Sequence, residues 1–309
     1  MSHEAELTII IPVHNREALV ERTLQSVEAQ TLRPLHVVVV DNNSTDGSAQ
    51  VIARWKARVE NAGFRVSAVS EPHPGAAAAR NRGLEETTSE FVMFFDSDDT
   101  MAPTHAEKAL NALKGPGRPD MVGWDVTLHH LDGTTAIKPF YAGDALWHCV
   151  MHGSTGTQRW AARSELVRRA GGWNRDIMGW NDIELGCRML LTRPAIIKSE
   201  DEEPTVDIYS QEQSITGTDF VSGAAKWERS LDAIEASMPC RRLKRYANLR
   251  RALLAGDYAR ERAREESDRL LSVALSKEKC PFHRMLLRFA RRYVACGLRG
   301  CARLMRPFF

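Results

Sequence analysis

Short apolar runs alternate along the first part of the chain with longer stretches in which apolar residues recur every three or four positions. LTIIIPV (7–13), LHVVVV (35–40) and FVMFF (91–95) read as buried strands, and FRVSAVS (64–70) as a weaker one. Between them, REALVERTLQSVEAQ (16–30) carries Leu19, Val20, Leu24 and Val27 at helical spacing. Helices are also predicted over about 48–60, with Ser44 or Asp46 able to cap the start, and over 76–87 and 102–114. Continuous apolar strands alternating with helices predict an α/β fold whose mostly parallel sheet is covered on both faces. Ligands of such Rossmann-like sheets bind beyond the carboxyl ends of the strands. His14, Asp41 and Asp96 each stand at such an end.

Beyond 115 the pattern loosens. MVGWDVTLHH (121–130) predicts a strand, WAARSELVRRAG (160–171) a helix ending at Gly171–Gly172, and NDIELGCRMLL (181–191) a further helix. From about 225 the chain is helical in composition. Residues 225–309 carry 21 Lys and Arg against 9 Asp and Glu, a balance of +12, which leaves −10 on residues 1–224 within the total of +2. This divides the 309 residues into an α/β domain over 1–224 and a basic helical extension over 225–309, the first with halves of about 1–115 and 116–224. Six scattered cysteines form neither a disulfide framework nor a zinc motif, so a reducing, cytoplasmic setting is expected. The acidic first domain argues against nucleic acid as a partner. No signal peptide and no membrane-spanning run is read from the sequence.

FVMFFDSDD (91–99) runs from a buried strand straight into three carboxylates. Alone, such a cluster reads as a solvated turn ahead of the next helix, or as a site for a hard divalent cation that completes its shell with water and phosphate oxygens. Its companions change that balance. TIIIPVHN, VVVVDNNSTDGS, HPGAAAARNRG, FVMFFDSDD and GGWNRDIMGWNDIELGCRML occur in this order. Together they closely resemble the family-2 glycosyltransferases, the large inverting group with the GT-A fold, over roughly residues 6–215.

That resemblance implies roles. Pro12, His14 and Asn15 would line the base and ribose of a nucleoside diphosphate sugar, with His14 standing where the family commonly has Tyr. Asp41 and Asn43 belong to the second nucleotide-binding motif, in which Asn42 and Asn43 replace the usual Asp-Gly. Gly75 and Arg80 belong to the third, Gly75 giving a loop room to approach the ligand and Arg80 serving a phosphate or ordering carboxylates. Asp96, Ser97 and Asp98 form the DxD, Asp98 as a direct ligand of Mn²⁺ or Mg²⁺ and Asp96 nearer the ribose or the metal's waters, while Asp99 structures the turn. Asp182 is the implied general base, with Glu184 its rival or an acceptor-binding group. Trp173 and Trp180 could stack on an acceptor sugar or pack in the core. The family's later His is missing from VDIYSQEQSITGT (206–218), which offers Gln211 nearby.

The implied activity is inverting transfer from a nucleoside diphosphate sugar, UDP-sugar first, to a saccharide or lipid-linked saccharide, in cell-surface polysaccharide or glycan synthesis. A nucleotidyltransferase or a dinucleotide dehydrogenase would need a glycine-rich loop after the first strand, and PVHNREAL contains no glycine. The alternative is a non-catalytic domain that binds a sugar nucleotide or a partner. In 281–309, seven Arg and no acid surround Phe282, Met285, Leu286, Phe289 and Tyr293 at helical spacing. This helix is expected either to pack on the protein or to lie at the inner face of the cell membrane as a peripheral contact.

Overall fold

The computed structural model describes residues 4–60, 63–211, 220–236 and 240–309. Its strands and helices alternate as β1 (Leu7–Val13), α1 (Glu17–Glu28), β2 (Leu35–Asp41), α2 (Ser48–Val59), β3 (Phe64–Ser70), α3 (Ala76–Glu85), β4 (Phe91–Phe94), β5 (Thr100–Met101) and α4 (His105–Lys114). There follow β6 (Met121–Gly123), β7 (Val126–His129), β8 (Thr135–Lys138), α5 (Ala145–His152), β9 (Trp160–Arg163), α6 (Ser164–Arg169), α7 (Asn181–Leu191), β10 (Ile196–Lys198) and β11 (Val206–Tyr209). The remaining helices are α8 (Ala224–Ala236), α9 (Arg241–Arg260), α10 (Arg264–Lys277), α11 (Pro281–Ala295) and α12 (Cys301–Met305). Two compact units result: Met1–Ala145 with Ser154–Gln211, and Leu146–Gly153 with Glu212–Phe309.

The first unit is built on a seven-stranded sheet of order β10-β6-β9-β4-β1-β2-β3. β9 is antiparallel to β4 and β6, and the other neighbours are parallel. Successive strand side chains point to opposite faces, so β1 and β2 feed two cores. Ile9, Ile11, Val37 and Val39 pack with Leu24 of α1, Trp55 of α2 and Leu110 of α4. Ile10, Val38 and Val40 pack with Leu84 of α3, Leu166 of α6 and Leu185 of α7. Burial on both faces is why these strands are uninterrupted apolar runs. A smaller sheet, β5-β11-β7-β8, lies beside the acidic cluster in sequence and pairs β11 with β5.

Two expectations are corrected. The helix over 160–171 begins only at Ser164, because Trp160–Arg163 fills the slot between β4 and β6 as a strand. Pairing with two strand edges outweighs the helical preference that Ala161, Ala162 and Arg163 bring. The single strand over 121–130 is broken at Trp124–Asp125 into β6 and β7, which join different sheets. Buried Trp124 donates its indole N–H to Gln158 O at 2.8 Å, and Asp125 accepts from Phe140 N at 2.7 Å.

In the second unit α9 is the central helix, against which α8, α10 and α11 pack. Arg251, 1% exposed, is held by Asp232 at 2.7 Å and Glu235 at 2.8 Å, so part of the basic surplus is internal and paired. The apolar face expected of α11 is split. Leu286 turns inward with His283, Leu287 and Ala290, whereas Phe282, Met285 and Phe289 stay exposed.

Helix α3 lies against β1 at Gly83, where a Cβ would stand 2.3 Å from Ile10 Cγ2. Gly83→Ala should therefore lower thermal stability by about 1–3 kcal/mol through overpacking, although Ala favours a helix by about 1 kcal/mol. The cost should shrink in an Ile10→Ala background, a coupling that a double-mutant cycle of denaturation midpoints measures. Additive effects would remove this contact as the reason for the glycine.

Candidate active site

The rim at the carboxyl ends of β1 and β2 is laced by short polar side chains. Pro12 is buried in β1 and His14 and Asn15 are exposed past its end. His14 Nδ1 is 2.6 Å from Asn42 O. Asn15, at φ 49°, accepts from Thr45 N at 2.8 Å, and its own N–H donates to Ser44 Oγ at 3.1 Å. Asp46, not Ser44, serves the start of α2, accepting from Ser48 N at 3.0 Å and Ser48 Oγ at 2.6 Å.

The two asparagines of the second motif have different duties. Asn42 is buried and acts as a clamp. Its Nδ2 donates to Glu71 O and His73 O, both at 2.7 Å, and its Oδ1 accepts from Gly75 N at 2.7 Å. Asn43 is exposed at φ 58° and donates to Pro72 O at 2.6 Å. Asp41, between strand and loop, keeps a buried Oδ1 without a hydrogen-bond partner, an acceptor aimed at no donor of the protein. Gly75 has φ 113° and open space where a Cβ would stand. Within the protein itself, backbone conformation is what demands glycine there.

The carboxylates after β4 divide their work. Asp99 is 2% exposed; its Oδ1 accepts from Tyr209 N at 2.9 Å and its Oδ2 from Gln158 Nε2. Burial, then the neighbouring Asp98 and Asp96 charges, push its pKa well above the ordinary aspartate value. It ties the acidic turn to β11 and to residues 157–159. Asp96 accepts from Arg80 Nη2 at 2.7 Å. Ser97 is buried between them in sequence. The Asp98 carboxylate pairs with Arg16 Nε at 3.8 Å and its carbonyl accepts from Arg22 Nη2 at 2.5 Å; burial followed by the Asp96 charge raises its pKa, against the opposing pull of Arg16 and Arg22.

This donor set suits a hard divalent cation. Asp98 and Asp96 are adjacent like charges whose repulsion a cation would relieve. Among the described residues no group of three or more His, Cys, Asp or Glu could hold a metal. A Mg²⁺ or Mn²⁺ ion bound through one or two carboxylates and completed by phosphate oxygens and water is compatible with that. Gln211 lies 3.5 Å from Tyr209 O through its Nε2, and residues 212–218 of the segment with the replaced His lie outside the described residues.

Asp182 reaches the same neighbourhood from a distant stretch. Asn81 holds the intervening loop by both faces of one residue: Trp173 N donates to Asn81 Oδ1 and Asn81 Nδ2 donates to Trp173 O, each at 2.8 Å. Gly172, at φ 67°, has no room for a side chain, since a Cβ would sit 2.7 Å from Asn81 Oδ1. Trp180, left-handed at φ 48° and half-buried, turns the chain into α7. Asp182 then occupies the first turn, accepting from Ile183 N at 2.8 Å. Burial raises its pKa, that hydrogen bond and Arg80 lower it, and Asp96 raises it. Asp182 thus shares one electrostatic environment with Arg80 and Asp96.

Two expected acceptor-binding residues do not present themselves. Glu184 is 1% exposed with its two oxygens on Arg188 at 2.7 and 2.6 Å, an i,i+4 pair inside the fold that leaves its carboxylate buried and occupied. Trp173 is 2% exposed, edge-on to Phe94 at 5.2 Å and beneath the Arg80 guanidinium at 4.4 Å. Conversely, the stretch Thr155–Arg159 carried no signal in sequence and touches both sides of the site. Thr155 Oγ1 donates to Asp182 O at 3.3 Å, Gln158 holds Asp99, and Arg159 donates to Lys138 O and Pro139 O at 3.0 and 2.6 Å. Burial brings the Arg159 pKa down to about 10, with Asp125 and Asp182 opposing that fall, so it remains a cation at neutral pH. The stretch forms a short turn without periodicity, which is why nothing in the sequence singled it out.

Residues 8–164 match the profile of the family described as Glycosyl transferase family 2. The chain is 28% identical over 229 residues to a validoxylamine A glucosyltransferase of Streptomyces hygroscopicus subsp. limoneus, covering 61% of this chain and 48% of that protein. It is 36% identical over 112 residues to the succinoglycan biosynthesis protein ExoW of Rhizobium meliloti, covering 35% and 34%. The chain thus spans about half or less of the length of these curated relatives. S. aureus TarS 1-349 in complex with UDP-GlcNAc superposes with a TM-score of 0.61 at 17% identity, covering 98% of this chain and 92% of that one. The mannosyltransferase PcManGT from Pyrobaculum calidifontis, in complex with GDP-Man and Mn²⁺, gives 0.61 at 18% identity, covering 98% and 87%. At those identities the likeness is one of fold.

Carboxyl ¹³C NMR should find Asp98, Asp99 and Asp182 titrating above the ordinary aspartate value of about 3.9, and Asp46, held by the Ser48 hydroxyl, below it. Assignment by single Asp→Asn variants checks this; an Asp182 titration that does not fall in Asp96→Asn would remove the shared environment. A raised folded-state pKa gives Asp99 a contribution that is complete below the unfolded value and lost as pH climbs through the folded one. Asp99→Asn should flatten that decline.

Proposed function

The chain belongs to glycosyl transferase family 2 and has the GT-A fold, and from that premise we propose that it transfers a sugar from a nucleoside diphosphate sugar to an acceptor hydroxyl with inversion. The observation that supports this most is the meeting of Asp182 with Arg80 and Asp96 in one electrostatic environment. A base and a donor-binding carboxylate must face one reacting carbon, and these come from motifs far apart in sequence.

In this reading Pro12, His14, Asn15, Asp41 and Asn43 bind the base and ribose, the unpaired Asp41 oxygen accepting from the nucleotide. Gly75 shapes the adjoining loop. Arg80 orients Asp96 and offsets negative charge near the diphosphate, and Ser97 belongs to the same turn. Asp98 and Asp96 would hold Mn²⁺ or Mg²⁺, which when bound neutralises charge developing on the leaving diphosphate. Asp182 removes the acceptor proton as the hydroxyl oxygen attacks the anomeric carbon opposite the breaking bond to the diphosphate. Its raised pKa improves the match to a neutral-pH proton transfer. Trp180 remains the candidate for stacking on the acceptor.

The relatives support a glycan setting. One is named for glucosyl transfer and one for succinoglycan synthesis, and the structural neighbours are described with UDP-GlcNAc and GDP-Man. We favour a UDP-sugar donor and a saccharide or lipid-linked saccharide acceptor at the inner face of the cell membrane. Among the described residues no helix is long and apolar enough to cross a membrane, so any membrane contact of those residues would be peripheral.

Asp182→Asn should leave donor affinity unchanged and lower kcat by about 10²–10⁴-fold, the contribution typical of a positioned base. Single-turnover kinetics with calorimetry of donor binding checks this, and proton NMR should show a β-linked product from an α-linked donor. Near-wild-type turnover, or a retained configuration, would reject the mechanism.

Binding of UDP or GDP should weaken when EDTA removes divalent metal, and Asp98→Ala should weaken it comparably. Calorimetry reads both; an Asp98→Ala variant with unchanged, metal-dependent affinity would remove Asp98 from the metal.

A further inference from the structure

Helix α11 is apolar on two sides, and only one is used inside the protein. Its inner side sets His283, Leu286, Leu287 and Ala290 against the fold. The approach to α9 is close: a Cβ on Gly256 would lie 2.6 Å from Val294 Cβ and 2.8 Å from Arg291 O. That side is sealed. On the other side Phe282, Met285 and Phe289 are 47%, 55% and 43% exposed. Their i, i+3, i+7 spacing makes one stripe. The stripe continues in both directions, since Phe308 of the C-terminal turn, itself exposed, stands against Phe282 at 5.9 Å, and Tyr293 against Phe289 at 5.7 Å.

The arginines around this stripe fall into two groups. Arg291 is bound to Asp268 at 2.8 Å and Ser267 at 3.0 Å, and Arg284 donates to the carbonyls of Leu275 and Glu278. Arg288, Arg292, Arg299 and Arg303 are exposed and have no acidic partner among the described residues. At 100° per residue, Arg288 and Arg292 lie along one edge of the Phe282–Met285–Phe289 stripe. No Asp or Glu occurs between 281 and 309. An apolar strip edged by unpaired cations, on a helix too charged to span, has the pattern of an interfacial helix.

We propose that the helical unit docks on an anionic lipid surface through this face, Phe282, Met285, Phe289 and Phe308 entering the headgroup boundary while Arg288 and Arg292 meet lipid phosphates. Charge decides the occupant. A second copy bringing the same face would set uncompensated arginines against one another. A nucleic acid would satisfy the arginines through its phosphates but would leave a contiguous Phe–Met–Phe stripe to be covered by bases without any groove to receive them. Anionic lipid answers both the charge and the apolar strip. The inference extends the reading of a membrane-held acceptor, but the surface can be tested without it.

Flotation of the full chain with phosphatidylcholine vesicles, with and without phosphatidylglycerol, tests the face. The protein should float with the anionic vesicles, less so at high salt and little with the neutral ones. Arg288→Gln/Arg292→Gln should reduce partitioning about tenfold or more, and Phe282→Ser/Phe289→Ser should reduce it with every arginine in place. All four substitutions are at exposed positions, and unchanged thermal melts exclude misfolding. Equal partitioning of wild type on anionic and neutral vesicles, or wild-type flotation by the phenylalanine variant, would overturn the proposal. So would a concentration-dependent dimer that the phenylalanine variant abolishes, which would assign the face to a second copy. Donor hydrolysis without vesicles, measured on the same variants, reports separately on the glycosyltransferase reading: its failure leaves the flotation result standing, and the reverse.

Discussion

A buried guanidinium holds the candidate site together. Arg80 is 5% exposed on α3, and a cation in that position requires compensation from its surroundings. Three parts of the chain supply it: Asp96 accepts its hydrogen bond, Trp173 offers a ring face, and Asp182 lies within its electrostatic influence. Loss of the charge would leave the mutual repulsion of Asp96 and Asp182 without that counterweight. Gain of a fully satisfied partner would leave Asp96 unable to serve anything else. The balance struck, one short ion pair and a second carboxylate at longer range, keeps the region charged yet ordered.

The polar residues of the motifs separate into those that face the site and those that build it. Asn42, Asn81 and Asp99 are committed to neighbouring chain: Asn42 to the loop at 71–75, Asn81 to the loop at Trp173, and Asp99 to Tyr209 and Gln158. Asn42 and Asn81 satisfy backbone groups of irregular segments, and Asp99 the N–H of Tyr209 at the end of β11; such groups must find partners when buried. Asp41, Asp98 and Asp182 are different. Asp41 has an orphaned oxygen, the Asp98 carboxylate an ion pair at 3.8 Å with Arg16, and Asp182 a hydrogen bond from the next residue, Ile183, and the last two have pKa values raised by burial without the ties to distant chain that occupy both oxygens of Asp99. Groups left in that condition mark the place where chemistry can occur.

The helical unit applies the same division to arginine. Arg251 is internal and paired with two acids, whereas Arg288 and Arg292 lie outside with none among the described residues. A count of charge along the chain treats them alike. The difference arises from which side of each helix is covered by its neighbours: Arg251 lies on a buried side of α9, and close packing of α11 on α9 at Gly256 leaves Arg288 and Arg292 outside.

Sequence alone determined the strand–helix alternation through α4, because strands covered on both faces must be continuously apolar and their helices must carry a stripe. It also determined which polar side chains stand at strand ends, since His14, Asp41 and Asp96 follow directly from where apolar runs stop. Tertiary structure decided the rest. Trp160–Arg163 became a strand because β4 and β6 offered unpaired backbone, a non-local term that no local pattern contains. Glu184 and Trp173 were drawn into the interior by Arg188 and Arg80, partners that spacing alone could not assign. Thr155, Gln158 and Arg159 entered the site through a turn with no periodicity. Motifs name the residues that a reaction needs; only packing decides which of them can reach it.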